Sequence, residues 1–311
     1  MSTEQSFQYI LVAVDFSPSS EAAWKQAIWL TRNAGVSLTL VHAIAESTPL
    51  VRSNSVLDAL CDQAVSDQQL QEESDEKLRR LLVESSVGDV DVECVTVFGE
   101  PFVEIIKLIQ EESFDLVLVG CQGHSTLERF FVGSTAKRLI RKCPSSVWIV
   151  KAEHVGSPDV VLAATDFSHV SHKAVLQGLK IAEQAGAEFH LLHVIDSKDV
   201  PDDLVSKIPV GSTMRQEINE EAKRRLGEFM KTLGADGKEV HSHLSFGTPW
   251  QEIQRLVKHL DVDLLTIGTV GRSGIQGLLL GNTAEKILDT CDCSILTVKP
   301  DGFVSPIALG D

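Results

Sequence analysis

The stretch that decides the fold is ILVAVDFSPSSEAAWKQAIWLTRNAGVSLTLVHAIAE at 10–46, which returns as VLAATDFSHVSHKAVLQGLKIAEQAGAEFHLLHVIDS at 161–197. Each copy begins with an apolar, β-branched run, continues through a longer helical segment and ends in a second apolar run. The Asp-Phe-Ser tripeptide at 15–17 falls on the one at 166–168, an offset of 151 residues. This strand-helix-strand pattern is typical of a parallel sheet buried on both faces.

A second pair of segments extends the repeat. FGEPFVEIIKLIQEESFDLVLVGCQG at 98–123 returns as FGTPWQEIQRLVKHLDVDLLTIGTVG at 246–271, an offset of 148 residues. Short apolar runs alternate with helical segments and give five strands in each half. The sequence therefore predicts two tandem, doubly wound α/β domains, at 1–153 and 158–311, joined through a polar segment that contains a Gly and a Pro.

Length and charge exclude several classes of protein. With 311 residues and 43% hydrophobic residues, the chain is long enough for two cores. A formal charge of −16 argues against nucleic-acid binding, which needs a basic face. No apolar run is long enough to cross a bilayer and the first residues do not resemble a signal peptide, so we expect a cytoplasmic protein, with its six cysteines as reduced thiols.

The carboxyl ends of the strands are where ligands bind in open α/β sheets. Three positions in each half meet this criterion, after strands one, two and four. They are Asp15, Ala43 and Gly120 in the first half and Asp166, Val194 and Gly268 in the second.

The loop after strand four is rich in glycine. It reads GCQGHSTLERFFVGST at 120–135 and GTVGRSGIQGLLLGNT at 268–283, and both copies fit GxxG, nine residues, then Gly and a small polar residue. The last glycine opens a helix whose free N–H groups can receive phosphate oxygens. The loop is neither a Walker A motif nor a dinucleotide GxGxxG motif. The alternative is that these glycines only end a strand and form a turn, since internal duplication would preserve the spacing for folding alone.

These motifs together resemble the universal stress protein family over almost the whole chain. The resemblance is carried by VAVDFS and AATDFS, LVHAI and LLHVI, FGEP and FGTP, and the two glycine loops with the CPSSVWIVK and CDCSILTVKP segments that follow. It is strongest to the tandem UspE subgroup. The resemblance implies a Rossmann-like fold of the adenine nucleotide alpha hydrolase-like type, with a parallel sheet of order 3-2-1-4-5 in each domain.

The resemblance also implies an ATP site in each half. In the first half, Asp15 and Ala43 would contact adenine. Gly120 and Gly123 would contact the ribose and phosphates. The phosphates would also be contacted by Gly133, Ser134 and Thr135. The matching positions in the second half are Asp166, Val194, Gly268, Gly271, Gly281, Asn282 and Thr283. Two positions depart from the family pattern, since Ala43 replaces the usual valine and Asn282 the usual Ser or Thr.

The function expected from the resemblance is that of a nucleotide-dependent stress-response regulator. Any Mg²⁺ would be held mainly by the nucleotide, and hydrolysis would be very slow, because neither a Walker-type Lys nor an evident base is present. The alternatives are a nucleotide-free interaction scaffold and a binder of another phosphorylated ligand. The family implies that the two halves pair through their last strands, VWIVK and ILTVK, and the sequence leaves protein partners and a homodimer of chains open.

Several further residues have two interpretations. The pairs Cys291/Cys293 and His241/His243 suggest zinc ligands or, more simply, buried thiols and half-exposed strand histidines. His42 and His193 are either catalytic bases or hydrogen-bonded structural residues. Phosphate contacts and solvated loop positions are the alternatives for three basic residues, which are His124, Arg129 and Arg272.

Overall fold

The computed structural model of the chain describes residues 7–31, 36–45, 56–85, 90–121, 132–196, 213–234, 238–271 and 280–309, with backbone alone at 56–66 and 213–215. These residues form two compact units, with 7–121 and 133–155 in the first and 156–303 in the second. The segment 304–309 groups with the first unit, so the limits 1–153 and 158–311 stay a prediction.

The first unit alternates strands and helices along the chain. Its elements are β1 (Tyr9–Ala13), α1 (Pro18–Thr31), β2 (Ser37–Ile44), α2 (Val56–Glu84), β3 (Val92–Phe98), α3 (Pro101–Glu112), β4 (Leu116–Gly120), α4 (Ser134–Lys142) and β5 (Ser146–Val150).

The second unit repeats this order. Its elements are β6 (Val160–Thr165), α5 (His169–Ala185), β7 (Glu188–Asp196), α6 (Thr213–Thr232), β8 (His241–Gly247), α7 (Pro249–Leu260), β9 (Leu264–Gly268), α8 (Asn282–Thr290) and β10 (Ser294–Val298).

The strands of each unit are parallel and follow the expected order. The first unit runs β3-β2-β1-β4-β5 and the second runs β8-β7-β6-β9-β10, so the 3-2-1-4-5 topology is confirmed in both. Because the first strand lies at the centre between the second and fourth, its carboxyl end faces the point where the connections diverge. This is the edge where the sequence places the candidate ligand residues.

The centre of each sheet is fully buried. Ile10, Leu11 and Val12 of β1 are 0% exposed, as are Val161 and Leu162 of β6. In the first unit, α1 and α2 cover one face while α3 packs against α4 on the other, as right-handed crossovers require. Coverage on both faces explains why these strands read as continuous apolar runs.

The first helix of each unit starts at the Asp-Phe-Ser turn. The Ser20 amide donates to the Ser17 side chain at 3.3 Å in α1, and the Ser171 amide donates to the Ser168 side chain at 3.2 Å in α5. These serines are N-caps, which satisfy amides that the first helical turn leaves unpaired. The same turn therefore ends the central strand and fixes the start of the helix.

Candidate functional site

The aspartates after β1 and β6 are built into the turn that follows. Asp15 Oδ1 accepts from the Ser17 amide at 3.0 Å, and Asp166 Oδ1 accepts from the Ser168 amide at 3.0 Å. Asp15 is exposed and Asp166 is half-buried. Each carboxylate is thus held in a fixed position at the ligand edge of its sheet while still within reach of solvent.

The residue between each aspartate and serine has an unusual backbone. Phe16 has φ of 60° and Phe167 has φ of 64°, a left-handed conformation that costs a bulky residue about 1–3 kcal/mol. Sequence reasoning missed this strain, although the repeated Asp-Phe-Ser tripeptide was its visible signal. The same local strain at equivalent places in two units indicates that the turn geometry is specified by its surroundings.

Those surroundings include a histidine in each half. The ring of Phe16 lies 4.6 Å from that of His42, and the ring of Phe167 lies 4.2 Å from that of His193. His42 Nδ1 donates to the Val14 carbonyl at 2.8 Å. His193 Nδ1 makes the equivalent bond to the Thr165 carbonyl, also at 2.8 Å. A carbonyl can only accept, so Nδ1 carries the proton in each ring, and this bond fixes the orientation of the ring.

Ala43 and Val194 lie on the neighbouring strand, opposite the aspartates. Ala13 pairs with Val41, and the same register continued past the end of β1 places Asp15 opposite Ala43. Thr165 pairs with His193, so Asp166 falls opposite Val194 in the same way. Both apolar side chains are half-exposed. The structure therefore brings the two predicted adenine-contacting positions of each half together at one edge.

The glycine that ends the fourth strand has a packing role. A Cβ added at Gly120 would lie 2.5 Å from the carbonyl carbon of Ser19 and 2.6 Å from its oxygen. A Cβ at Gly268 would lie 2.9 Å from Val170 Cγ1. These contacts require glycine for the start of α1 or α5 to pack on the strand, whatever ligand the edge binds.

The second glycine of the motif lies close to an aspartate side chain. A Cβ at Gly271 would lie 2.7 Å from Asp166 Oδ2. Gly271 therefore lies directly against the carboxylate that follows β6, and glycine permits that closeness. The equivalent Gly123 lies outside the described residues, as do His124, Arg129 and Arg272.

The third glycine is the N-cap of the next helix. The Gly133 amide donates to the Cys121 carbonyl at 2.7 Å, and the Gly281 amide to the Thr269 carbonyl at 2.7 Å. Each bond ties the start of the helix to the residue that follows the fourth strand. Helices α4 and α8 thus begin at the same edge of the sheet as the aspartates.

The first turns of these two helices have no side-chain cap. Neither Gly133 nor Gly281 has a side chain to supply one, and the first intrahelical bonds are donated by Lys137 and Glu285. The amides before them, at 134–136 and 282–284, point out of the helix start. Ser134 and Asn282 are exposed there, and Thr135 and Thr283 are half-buried. This arrangement suits an anion such as a phosphate.

The first unit carries a cation near its aspartate turn. Lys77 Nζ of α2 lies 5.7 Å from the centre of the Phe16 ring. In the second unit, the ring of Phe229 from α6 lies 5.5 Å from Phe167 instead. Sequence reasoning missed both residues because each comes from a helix far along the chain.

The cysteine beside the first glycine loop is buried. Cys121 is 5% exposed, and burial raises the pKa of its thiol. The raised pKa keeps the sulfur protonated near neutral pH, which is the opposite of what a nucleophilic cysteine needs. Cys291 and Cys293 are also buried, at 2% and 1% exposed.

The histidine pair on β8 has a partner on the neighbouring strand. His241 and His243 lie on one face, as predicted, and His190 of β7 contacts both rings. Within the part of the chain that the structure describes, no cluster of three or more His, Cys, Asp or Glu side chains is arranged to hold a metal ion.

A family model matches the chain twice. It is that of the universal stress protein family, and it matches residues 6–151 and 158–299. Universal stress protein E of Escherichia coli strain K12 is 30% identical over 223 residues, 68% of this chain and 69% of that protein. The protein of the same name from Photorhabdus laumondii is 26% identical over 318 residues, 97% of this chain and 98% of that protein.

Solved structures share the fold over nearly the whole chain. A universal stress protein from Archaeoglobus fulgidus DSM 4304 superimposes with a TM-score of 0.66 at 20% identity, over 95% of this chain and 99% of that chain. A putative universal stress protein from Pseudomonas aeruginosa UCBPP-PA14 gives 0.65 at 22% identity, over 96% of each chain. Among the described residues, no helix is long and apolar enough to span a membrane.

Proposed function

Because the chain belongs to the universal stress protein family, we propose that it binds ATP at the glycine loop of each half and acts as a nucleotide-dependent regulator of the stress response in the cytoplasm. One observation carries this proposal. In both halves, an uncapped helix start lies at the same sheet edge as an aspartate held opposite a small apolar residue. The arrangement offers a polar contact and an apolar wall to a base, and amide donors to phosphates.

The phosphate end of the proposed site rests on backbone chemistry. The amides at 134–136 and 282–284 and the positive end of each helix dipole favour an anion, and no lysine of the Walker type is needed to hold it. Ser134 and Thr135 add hydroxyl groups in the first half, while Asn282 and Thr283 add an amide and a hydroxyl in the second. Any Mg²⁺ enters with the nucleotide, whose phosphates supply its oxygen ligands.

The adenine end rests on the edge that β1 and β2, or β6 and β7, form together. The half-exposed Ala43 or Val194 supplies an apolar wall, and the aspartate opposite can accept a hydrogen bond from an exocyclic amine. The smaller Ala43 leaves more room than Val194. We therefore expect the base to pack more loosely in the first half than in the second.

The proposed regulator is not a fast enzyme. Rapid phosphoryl transfer needs positioned cations and a group that orients the nucleophile. The buried, protonated thiol of Cys121 does not supply such a group, and Nδ1 of His42 and of His193 is already engaged with a backbone carbonyl. Bound ATP would therefore persist long enough to change the surface offered to protein partners.

A nucleotide-free scaffold is the second candidate, and one observation favours it. Packing alone requires glycine at Gly120 and Gly268, so these two positions of the motif would be retained without a ligand. The predicted pairing of the halves through their last strands serves a scaffold equally well and stays a prediction.

Mass spectrometry of the freshly purified, denatured protein and calorimetry with Mg-ATP separate the two candidates. We expect co-purified adenine nucleotide and measurable binding heat. The variants Ser134→Asp and Asn282→Asp should each weaken ATP binding at their own site roughly tenfold or more, because a carboxylate occupies the place of the phosphate. They should leave the apo protein as stable or more stable by about 0.3–1 kcal/mol, because an acidic first turn suits the helix dipole.

The matched control is Gln69→Glu, which adds a negative charge at an exposed position of α2. It should leave ATP affinity unchanged. Absence of both co-purified nucleotide and binding heat at high protein concentration would exclude the ATP proposal and favour the scaffold.

A further inference from the structure

Three histidines form a cluster on the second sheet, away from the ligand edge. His190 of β7 pairs in register with His241 of β8, and His243 is two residues further along the same face. The rings of His190 and His241 are stacked at 4.9 Å, and those of His190 and His243 at 5.1 Å. His190 is 5% exposed, so the cluster extends from the interior to the surface.

A single hydrogen bond joins the two inner rings. His190 Nδ1 lies 2.9 Å from His243 Nε2. One nitrogen must donate and the other must accept, so at least one of these atoms carries no proton. The pair can bind one proton and keep this bond, but a second proton makes both nitrogens donors and abolishes it.

Basic side chains surround the pair. Helix α7 presents Arg255 and His259 to His243, and His241 adds a third basic group from β8 itself. Three carboxylates also lie around the cluster, and that of Glu188 contacts the pair and favours the charged form of His190. Glu188 Oε2 lies 3.4 Å from His190 Nε2, Glu239 is 3.9 Å from His241, and Glu252 pairs with Arg255 at 2.9 Å. A doubly charged pair would therefore face repulsion between its own two rings and from Arg255, which Glu188 offsets only on the His190 side.

Burial lowers the pKa of His190 and of His243, and the neighbouring basic groups lower that of His243 further. A base whose pKa is lowered in the fold binds protons more readily once its strand opens. The stability contributed by this cluster is thus complete above the ordinary histidine pKa of 6.5 and is lost as pH falls below it through the folded-state values.

The first half has no such cluster at the equivalent positions. The residue pair matching His190 and His241 is Thr39 and Glu93, which are in register in β2 and β3, and Val95 matches His243. Both β3 and β8 lie at the end of their unit's strand order, β3-β2-β1-β4-β5 and β8-β7-β6-β9-β10. The chain therefore contains its own comparison, an equivalent strand without histidines.

We propose that the second sheet has a proton-sensitive strand, in which double protonation of the His190–His243 pair under mildly acidic conditions breaks their hydrogen bond and loosens β8 from β7. The first sheet lacks this response. The device would make one half of a tandem stress protein sensitive to acid.

Hydrogen exchange of the full-length chain, followed by mass spectrometry in the presence of EDTA, tests the proposal. After correction for the intrinsic exchange rate, β8 amides should lose protection roughly tenfold or more between about pH 7.5 and about pH 5.5. The β3 amides should change little. Parallel loss of protection in β3 and β8 would overturn the proposal.

The variant His243→Gln keeps a side chain that can bond to His190 but cannot titrate. It should hold β8 protected at both pH values, whereas the control His154→Gln, outside the cluster, should behave as the wild type. If His243→Gln retains the full acid response, the pair is not the sensor. If this variant opens β8 even at neutral pH, the proposal is tested instead by NMR titration of the His190 and His243 rings in the wild type. Two histidines that titrate independently with ordinary pKa values would overturn the proposal.

Discussion

At the scale of single residues, the glycines of the repeated motif do different things. Gly120 and Gly268 are required by the contact between strand and helix, and the absence of a side chain lets Gly271 lie close to Asp166. The sequence treats these glycines as one spacing pattern. Only the neighbours that a Cβ would meet separate a packing role from a ligand-facing one, and those neighbours are distant in sequence.

Substitution of Gly120 by Ala should destabilise the first unit by about 1–3 kcal/mol, because the new methyl group would overlap backbone atoms of Ser19 that cannot move freely. Urea unfolding of the purified variant measures this loss. The control is Gly227→Ala in α6, where a Cβ meets nothing within 4 Å. That change should stabilise the helix by about 0.5–1 kcal/mol, and an equal loss in both variants would contradict the packing role.

At the scale of elements, the helices that follow the first and the fourth strand of each unit start in different ways. Helices α1 and α5 are capped by serine side chains, whereas α4 and α8 begin at glycine with no side-chain cap. A capped start has part of its hydrogen-bonding capacity satisfied within the protein. An uncapped start at the ligand edge keeps that capacity for an anion or for water.

The cap can be tested through Ser168→Ala, which removes the acceptor of the Ser171 amide. We expect the second unit to lose about 0.5–2 kcal/mol, seen as a lower Tm in scanning calorimetry. Thr248→Ala is the matched control, because Thr248 is the N-cap residue of α7 but its side chain makes no capping bond. If both variants lower the Tm equally, the Ser168 bond is not what stabilises α5.

At the scale of the whole molecule, duplication gives two candidate sites that are related but unequal. The first has Ala43, Ser134 and nearby Lys77, and the second has Val194, Asn282 and nearby Phe229. The acid-sensitive histidine cluster belongs to the second half alone. The two halves thus share a fold and differ in residues at the candidate ATP sites and in the histidine cluster.

If both sites bind ATP, native mass spectrometry should find two nucleotides on each wild-type chain. Ser134→Asp or Asn282→Asp alone should reduce this number to one, and the double variant should bind none, because each carboxylate blocks only its own helix start. A wild-type chain that binds one nucleotide, removed by only one of the two variants, would show that a single half is a working site.

By itself, the sequence determined the duplication, the parallel α/β fold with its ligand edge, and most positions at that edge, because strands, helices and turns are encoded in short contiguous segments. Only the tertiary structure decided why Gly120 is a glycine, that Phe16 has a left-handed backbone and packs against His42, and that His190 bonds to His243 53 residues away. Such contacts depend on which strands become neighbours and in which register. A local sequence pattern specifies neither the neighbouring strand nor the register, so these contacts could be identified only in the folded sheet.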